Sequence, residues 1–227
     1  MQSLHRHRSR LVGNSTQLIN QMRGFLLERG ISAPQGKRKL VARLPEILED
    51  ADNGLPLAMR DMLAGMLEEW EELDGKIAAL NRQLVTESKA DAGCERLQEI
   101  PGVGAQTATA VVAAIGDGQA FDTGRDFAAW LGLTPRESST GGKQRLGHIS
   151  KQGNRYIRTL LTHCARSGME TLSKRTDALG AWLRRMLAKK DRRVVIVALA
   201  ARLARVIWAV LRKGERFQPQ AQAAAAA

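Results

Sequence analysis

Aromatic side chains are scarce in this chain, at 4% of 227 residues with a single tyrosine, which argues against the stacked-ring platform that single-strand nucleic-acid binders use. Cysteine is scarcer still. The two present, Cys94 and Cys164, lack metal-ligand spacing and imply no disulfide framework, a usage that suits a reducing cytoplasm and small buried thiols. Long apolar stretches are missing as well. The N-terminus has no signal-like apolar core, and the longest uninterrupted run, Val194–Ala201, falls well short of the roughly 20 residues that a bilayer span requires. Acidic residues are the minority charge. Against 23 Asp and Glu stand 35 Lys and Arg, giving a formal net charge of +12 and a pI of about 10.5. Such a charge favours a polyanion held through its backbone. The expected setting is cytoplasmic and nucleoid-associated, with DNA as partner and no membrane.

The spacing of Leu4, Leu11, Leu18, Met22, Phe25 and Leu26 predicts a helix over 3–29, ended by Gly30. A basic turn containing Pro34 and Gly36 follows, then a short helical segment, then a second interruption at 50–57. From Met59 the pattern sharpens. Met59, Leu63, Met66, Trp70, Leu73, Ile77, Leu80 and Leu84 alternate steps of four and three, a heptad seam whose outer face carries Glu68, Glu69, Glu71 and Glu72. Two partners are open to such a seam: another copy of the chain, giving a homo-oligomer, or the first helix, whose Leu4, Leu11, Leu18 and Phe25 also recur every seven residues.

Composition changes beyond residue 93. Ile100-Pro101-Gly102-Val103-Gly104, followed by an alanine-rich stretch to Ile115, has the form of a helix-hairpin-helix. Amides freed at Gly102 and Gly104 could hold one nucleic-acid phosphate, although the same turn also serves simply to join two packed helices. Phe127, Trp130 and Leu131 fall at helical spacing and are expected in the core. Residues 132–158 form a long Gly/Ser-rich basic loop. There Ser138, Ser139 and Thr140 precede Gly141 and Gly142, and Lys143, Arg145, Lys151, Arg155 and Arg158 supply charge. A loop of this length inside a compact domain is usually functional or disordered, and its composition argues for the first, since cations beside glycines suit phosphate. Further helices are expected over 156–165, 177–190 and 192–213. The predicted fold is mostly α: a helical, coiled-coil-like segment over 1–92, a compact domain over 93–217, and a low-complexity disordered tail over 218–227.

Several blocks together carry a family resemblance. They are Ile100 to Gly104, Phe127 to Arg136 (FAAWLGLTPR), Ser139 to Lys143 (STGGK), Gly147 to Asn154 (GHISKQGN) and Tyr156 to Arg158 (YIR). In this order they resemble the C-terminal part of insertion sequence 110 family transposases, in particular the 1111 subgroup, with Piv-like DNA invertases as wider relatives. Leu18 to Gly24 and Leu48 to Pro56 extend the likeness more loosely.

The resemblance implies an enzyme of DNA transposition whose serine forms a covalent link to DNA phosphate, and by position in the motif that serine is Ser139. It also implies a structured guide RNA, and a ribonuclease H-like domain whose four acidic residues bind divalent metal, Mg being expected. No such domain is recognisable in these 227 residues. On this reading the chain is catalytically incomplete alone, binds no metal or other cofactor by itself, and contacts nucleic acid through Gly102, Gly104, Lys143, Arg145, Lys151, Arg155 and Arg158. The structural alternative for Ser139 is a hydroxyl that stabilises a glycine turn. A non-catalytic nucleic-acid-binding module is the rival function.

Overall fold

The computed structural model describes residues 1–141, 143 and 145–218, and the expected tail beyond Gln218 lies outside them. The described residues are mostly helical: nine α-helices, one short 3-10 turn and one two-stranded ribbon. They divide into two compact units, Gln2–Gln83 and a second that begins at Leu84.

The first unit contains α1 (Gln2–Glu28), α2 (Lys37–Glu49), a 3-10 turn (Ala51–Asn53) and most of α3 (Leu57–Ala90). Its core takes Leu11, Leu18, Met22 and Leu26 from α1, Leu40, Leu44 and Ile47 from α2, and Leu63, Trp70 and Leu73 from α3. The structure thus supplies the intramolecular partner for the heptad seam. Near the start of α1, Arg8 Nε donates to Asn81 Oδ1 at 2.6 Å, close to the end of this unit's part of α3, so the two helices run antiparallel. The four outer glutamates are exposed, and Glu72 pairs with Lys76 at 2.7 Å along the helix.

The corner from Leu48 to Pro56 is shaped by one side chain. Arg60 donates to the carbonyls of Leu48, Asp50 and Leu55 and to Asn53 Oδ1, with a longer contact to Ile47 O at 3.4 Å. A helix leaves its last carbonyls without intrahelical donors. The five-donor guanidinium fork meets those of α2 and the turn after it together.

The second unit holds α4 (Ala92–Gln98), α5 (Ala105–Ile115), α6 (Gly124–Trp130), strands β1 (Pro135–Glu137) and β2 (Leu146–Ile149), α7 (Arg155–Ser173), α8 (Ala178–Lys189) and α9 (Arg192–Lys213). Each helix from α6 to α8 begins on a side-chain cap. Thr123 and Asp126 form a reciprocal capping box, Asn154 Oδ1 accepts from Ile157 N at 3.0 Å, and Asp177 Oδ1 accepts from Gly180 N at 2.9 Å. Central to the core is α9, which buries Val195, Leu199, Leu203, Ile207 and Val210.

By length and composition α9 is apolar enough to cross a membrane, which the expectation drawn from uninterrupted runs did not register. Its apolar side faces the protein interior, however, and Arg202 and Arg205 interrupt the other side. Both cysteines are buried, as their composition suggested. Trp130 departs from the expected core position. It is 38% exposed, resting on Phe121 and Phe127 at centroid distances of 5.6 and 6.0 Å.

Candidate nucleic-acid interface and serine ribbon

The stretch expected as a loop is partly folded. Its two short strands pair antiparallel, with Pro135 opposite Ile149, Glu137 opposite Leu146 and an irregularity between them. Nearly every ribbon residue is exposed. The alternating apolar pattern that marks a strand is therefore absent, and backbone pairing alone defines the ribbon.

Its base is fixed to the helical core through main chain. Ser150 N donates to Thr134 O at 2.9 Å, Lys151 N to Gly132 O at 3.1 Å, and Asn154 N to Trp130 O at 3.4 Å. At Gly153, with φ of +99°, an added Cβ would lie 1.9 Å from the Trp130 carbonyl oxygen, so only glycine lets the two backbones meet.

At the tip, Ser138 N donates to Arg145 O at 2.9 Å and Lys143 N to Thr140 O at 3.2 Å, narrowing the turn. Ser139 is held on both sides: its Oγ donates to Glu137 Oε1 at 2.5 Å and accepts from Arg145 N at 3.3 Å. All three residues are exposed. A hydroxyl whose proton already points at a carboxylate has a proton acceptor in place. The sequence pattern of cations and hydroxyls does not single out Glu137. The available signal was its spacing, because residues two apart on an extended strand share a face.

The other expected contact residues separate into two groups. Lys143, Arg145, Lys151 and Arg155 are exposed on the ribbon, at its base or at the start of α7. Arg158 is half-buried, and its Nη1 donates to Leu131 O at 2.7 Å, tying α7 to the end of α6.

Pro101 and Gly102 lie between α4 and α5. Gly102, with φ of +90°, packs on α7, where an added Cβ would meet Cys164 O at 2.5 Å. Gly104 caps α5 and is exposed, and Thr107 Oγ1 lies 3.2 Å from Cys164 Sγ. Burial raises the Cys164 thiol above its ordinary pKa despite this contact, and Cys94 is pushed up to about 12 by burial and by Asp91.

Among the described residues no three His, Cys, Asp or Glu side chains converge as metal ligands. The divalent metal that the family resemblance implies belongs to the acidic domain, and no such group is formed around Glu137.

Comparison with known proteins finds similar sequences. Residues 94–180, which include the hairpin turn, the ribbon and α7, match the model of the transposase IS116/IS110/IS902 family. A probable family 20 transposase of Pseudomonas aeruginosa is 43% identical over 220 residues, covering 96% of this chain and 65% of that protein. The transposase for insertion sequence element IS1111A of Coxiella burnetii is 37% identical over 218 residues, 96% of this chain and 60% of its own length. A pilin gene-inverting protein of Moraxella bovis is 29% identical over 123 residues, 53% of this chain and 37% of that protein. By sequence, the chain is a relative of the IS110/IS116 family transposases. It spans about three fifths of the length of the curated relatives it matches.

Proposed function

We propose that this chain is the serine-bearing part of a transposase and acts in DNA recombination through Ser139. One observation carries the reading: the Ser139 hydroxyl sits at an exposed, cation-flanked tip, donates to Glu137 and is oriented by the Arg145 amide. In the step proposed, Ser139 Oγ attacks a DNA phosphorus and its proton passes to the Glu137 carboxylate. The Oγ–P bond forms as one P–O bond of the DNA backbone breaks, and the departing oxygen takes a proton from solvent to become a free hydroxyl end. Charge building on the phosphoryl oxygens is met by Lys143 and Arg145.

Lys151 and Arg155 extend the positive surface along the flanking backbone. The turn at Gly104 adds a phosphate contact through the first amides of α5, whose N-terminus has no side-chain cap. Gly102 supports that turn by letting it approach α7. A structured guide RNA shares the same cationic surface, and completion of the reaction requires the remaining length found in full-size relatives.

The test supplies that remaining part of a relative in trans, with magnesium, guide RNA and a DNA substrate, and looks for a protein–DNA adduct that survives denaturant. Ser139→Ala should abolish the adduct with DNA affinity within about twofold of the parent. Glu137→Gln should reduce adduct formation on the order of 10²-fold, within the range typical of general-base loss. An adduct that persists in Ser139→Ala refutes the assignment. Nucleic-acid binding without any adduct under these conditions identifies a binding module instead.

A further inference from the structure

A second concentration of positive charge lies away from the ribbon, where α6, α8 and α9 meet. Gly124 packs on the backbone of α9 at Arg205, with its Cβ position 3.1 Å from Arg205 Cα, which brings the neighbouring Arg125 to this junction. Arg202 lies one turn before Arg205 on α9, and its guanidinium stands 4.8 Å from the centre of the Trp182 ring on α8. Arg185 follows Trp182 by one turn, on the same side of α8. Four guanidinium groups thus converge.

The carboxylates nearby make their hydrogen bonds and ion pairs elsewhere, although the charge of Asp177 is still felt at Arg202. Asp126 accepts from Thr123 N and Oγ1, and Asp177 is held by Arg175 at 2.7 Å and by the Gly180 amide. Among the described residues none of the four arginines has an ion-pair partner. Arg202 and Arg205 are half-buried, and both are lowered from the usual arginine pKa, first by burial and then by the charge of neighbouring arginines, an effect that the charge of Asp177 partly offsets at Arg202. Unpaired like charges gathered on partly desolvated side chains disfavour the free protein, and a polyanion relieves that repulsion. Arg202 is also pre-positioned, because the Trp182 face restricts its fork.

We propose that Arg125, Arg185, Arg202 and Arg205 form a second phosphodiester-binding site that holds a nucleic-acid backbone at the α6/α8/α9 junction. This inference rests on the reading that the chain binds nucleic acid, and it assigns to that binding a surface separate from the serine ribbon. The seven-residue α6 carries Arg125 at one end and leads to the ribbon base at the other, a separation along its axis of about 10 Å. One strand spans that distance in two phosphates or so. DNA and RNA offer the same phosphate chemistry, and the polymer is resolved by experiment.

The test uses the full chain with Arg125→Gln and Arg185→Gln combined, both at exposed positions. Affinities for a duplex DNA and for a structured RNA are measured by fluorescence anisotropy from 50 to about 300 mM salt, beside Lys143→Ala/Arg145→Ala. The junction variant should lose roughly two units of log–log salt slope and about tenfold or more in affinity at low salt. Its melting temperature without nucleic acid should stay the same or rise, since repulsion is relieved, whereas a purely structural role for these arginines lowers it. Arg125→Lys/Arg185→Lys should keep most of the slope. A loss confined to one polymer supports the proposal and names the occupant.

Unchanged slope and affinity in the junction variant for both polymers, with the ribbon variant weakened, overturns this site and leaves the proposed function standing. A parent chain that binds neither polymer overturns both.

Discussion

Replacing Gly153 with alanine tests whether the ribbon base depends on direct backbone contact. The new Cβ would fall 1.9 Å from Trp130 O and 3.0 Å from Trp130 C, and φ there is +99°. The conformation alone costs an L-residue about 1–2 kcal/mol. Separating two backbones that cannot swing aside adds about 1–3 kcal/mol, the usual range for overpacking. Local opening limits the total, because parting Asn154 N from Trp130 O and Lys151 N from Gly132 O relieves the overlap without unfolding the unit. The expected signature is therefore local. Amide hydrogen exchange at Lys151 and Asn154 should accelerate on the order of 30-fold or more, corresponding to about 2 kcal/mol, while amides in α9 change little. Gly214→Ala is the control, since its φ is +67° and an added Cβ meets nothing within 4 Å. It should show only the conformational cost, confined to the end of α9. DNA affinity should fall in Gly153→Ala because the ribbon base is displaced, and remain near the parent value in Gly214→Ala. If Gly153→Ala leaves exchange at Lys151 and Asn154 unchanged, backbone contact does not hold the ribbon.

Two further outcomes follow from packing and charge. Leu73→Glu, at a position 8% exposed in the first unit's core, should destabilise that unit by about 2–5 kcal/mol in urea melts without changing the sedimenting mass; a parent dimer converted to monomer would instead show that the seam joins copies. Burial alone would raise the Asp177 carboxyl, but the Gly180 amide and the Arg175 guanidinium outweigh it and hold its pKa below the usual value. A depressed folded pKa contributes stability above the unfolded value, near 4, which is lost as pH falls through the folded one. Asp177→Asn should therefore cost stability at pH 7 and show a shallower decline below about pH 4, and equal pH profiles for parent and variant would contradict the assignment.

Local pattern made much of the helical framework legible. The long helices were readable because their apolar faces repeat over many turns: α1 was expected over 3–29 and spans Gln2–Glu28, and α9 was expected over 192–213 and spans Arg192–Lys213. The partner of the α3 seam was not readable, since a heptad says only that a stripe must be covered. The ribbon escaped because its strands have three and four residues and almost no buried side. Arg158 was grouped with the free cations because charge is visible in a sequence, whereas its hydrogen bond to Leu131 O spans 27 positions and exists only in the fold. Glu137 was overlooked for the opposite reason: its link to Ser139 is local, but its significance depends on the strand that places them together. The junction arginines required three helices to be packed before they could be associated.

Attachment of the ribbon through main chain near Trp130, Gly132 and Thr134 separates two kinds of evolutionary constraint. Among the described residues, the side chains of Ser138, Ser139, Thr140, Lys143 and Arg145 contribute nothing to the buried core, so substitutions there come at little expense to folding. Changes at the base act on folding without touching reactive groups. Variation can therefore explore new tip sequences on an unchanged scaffold.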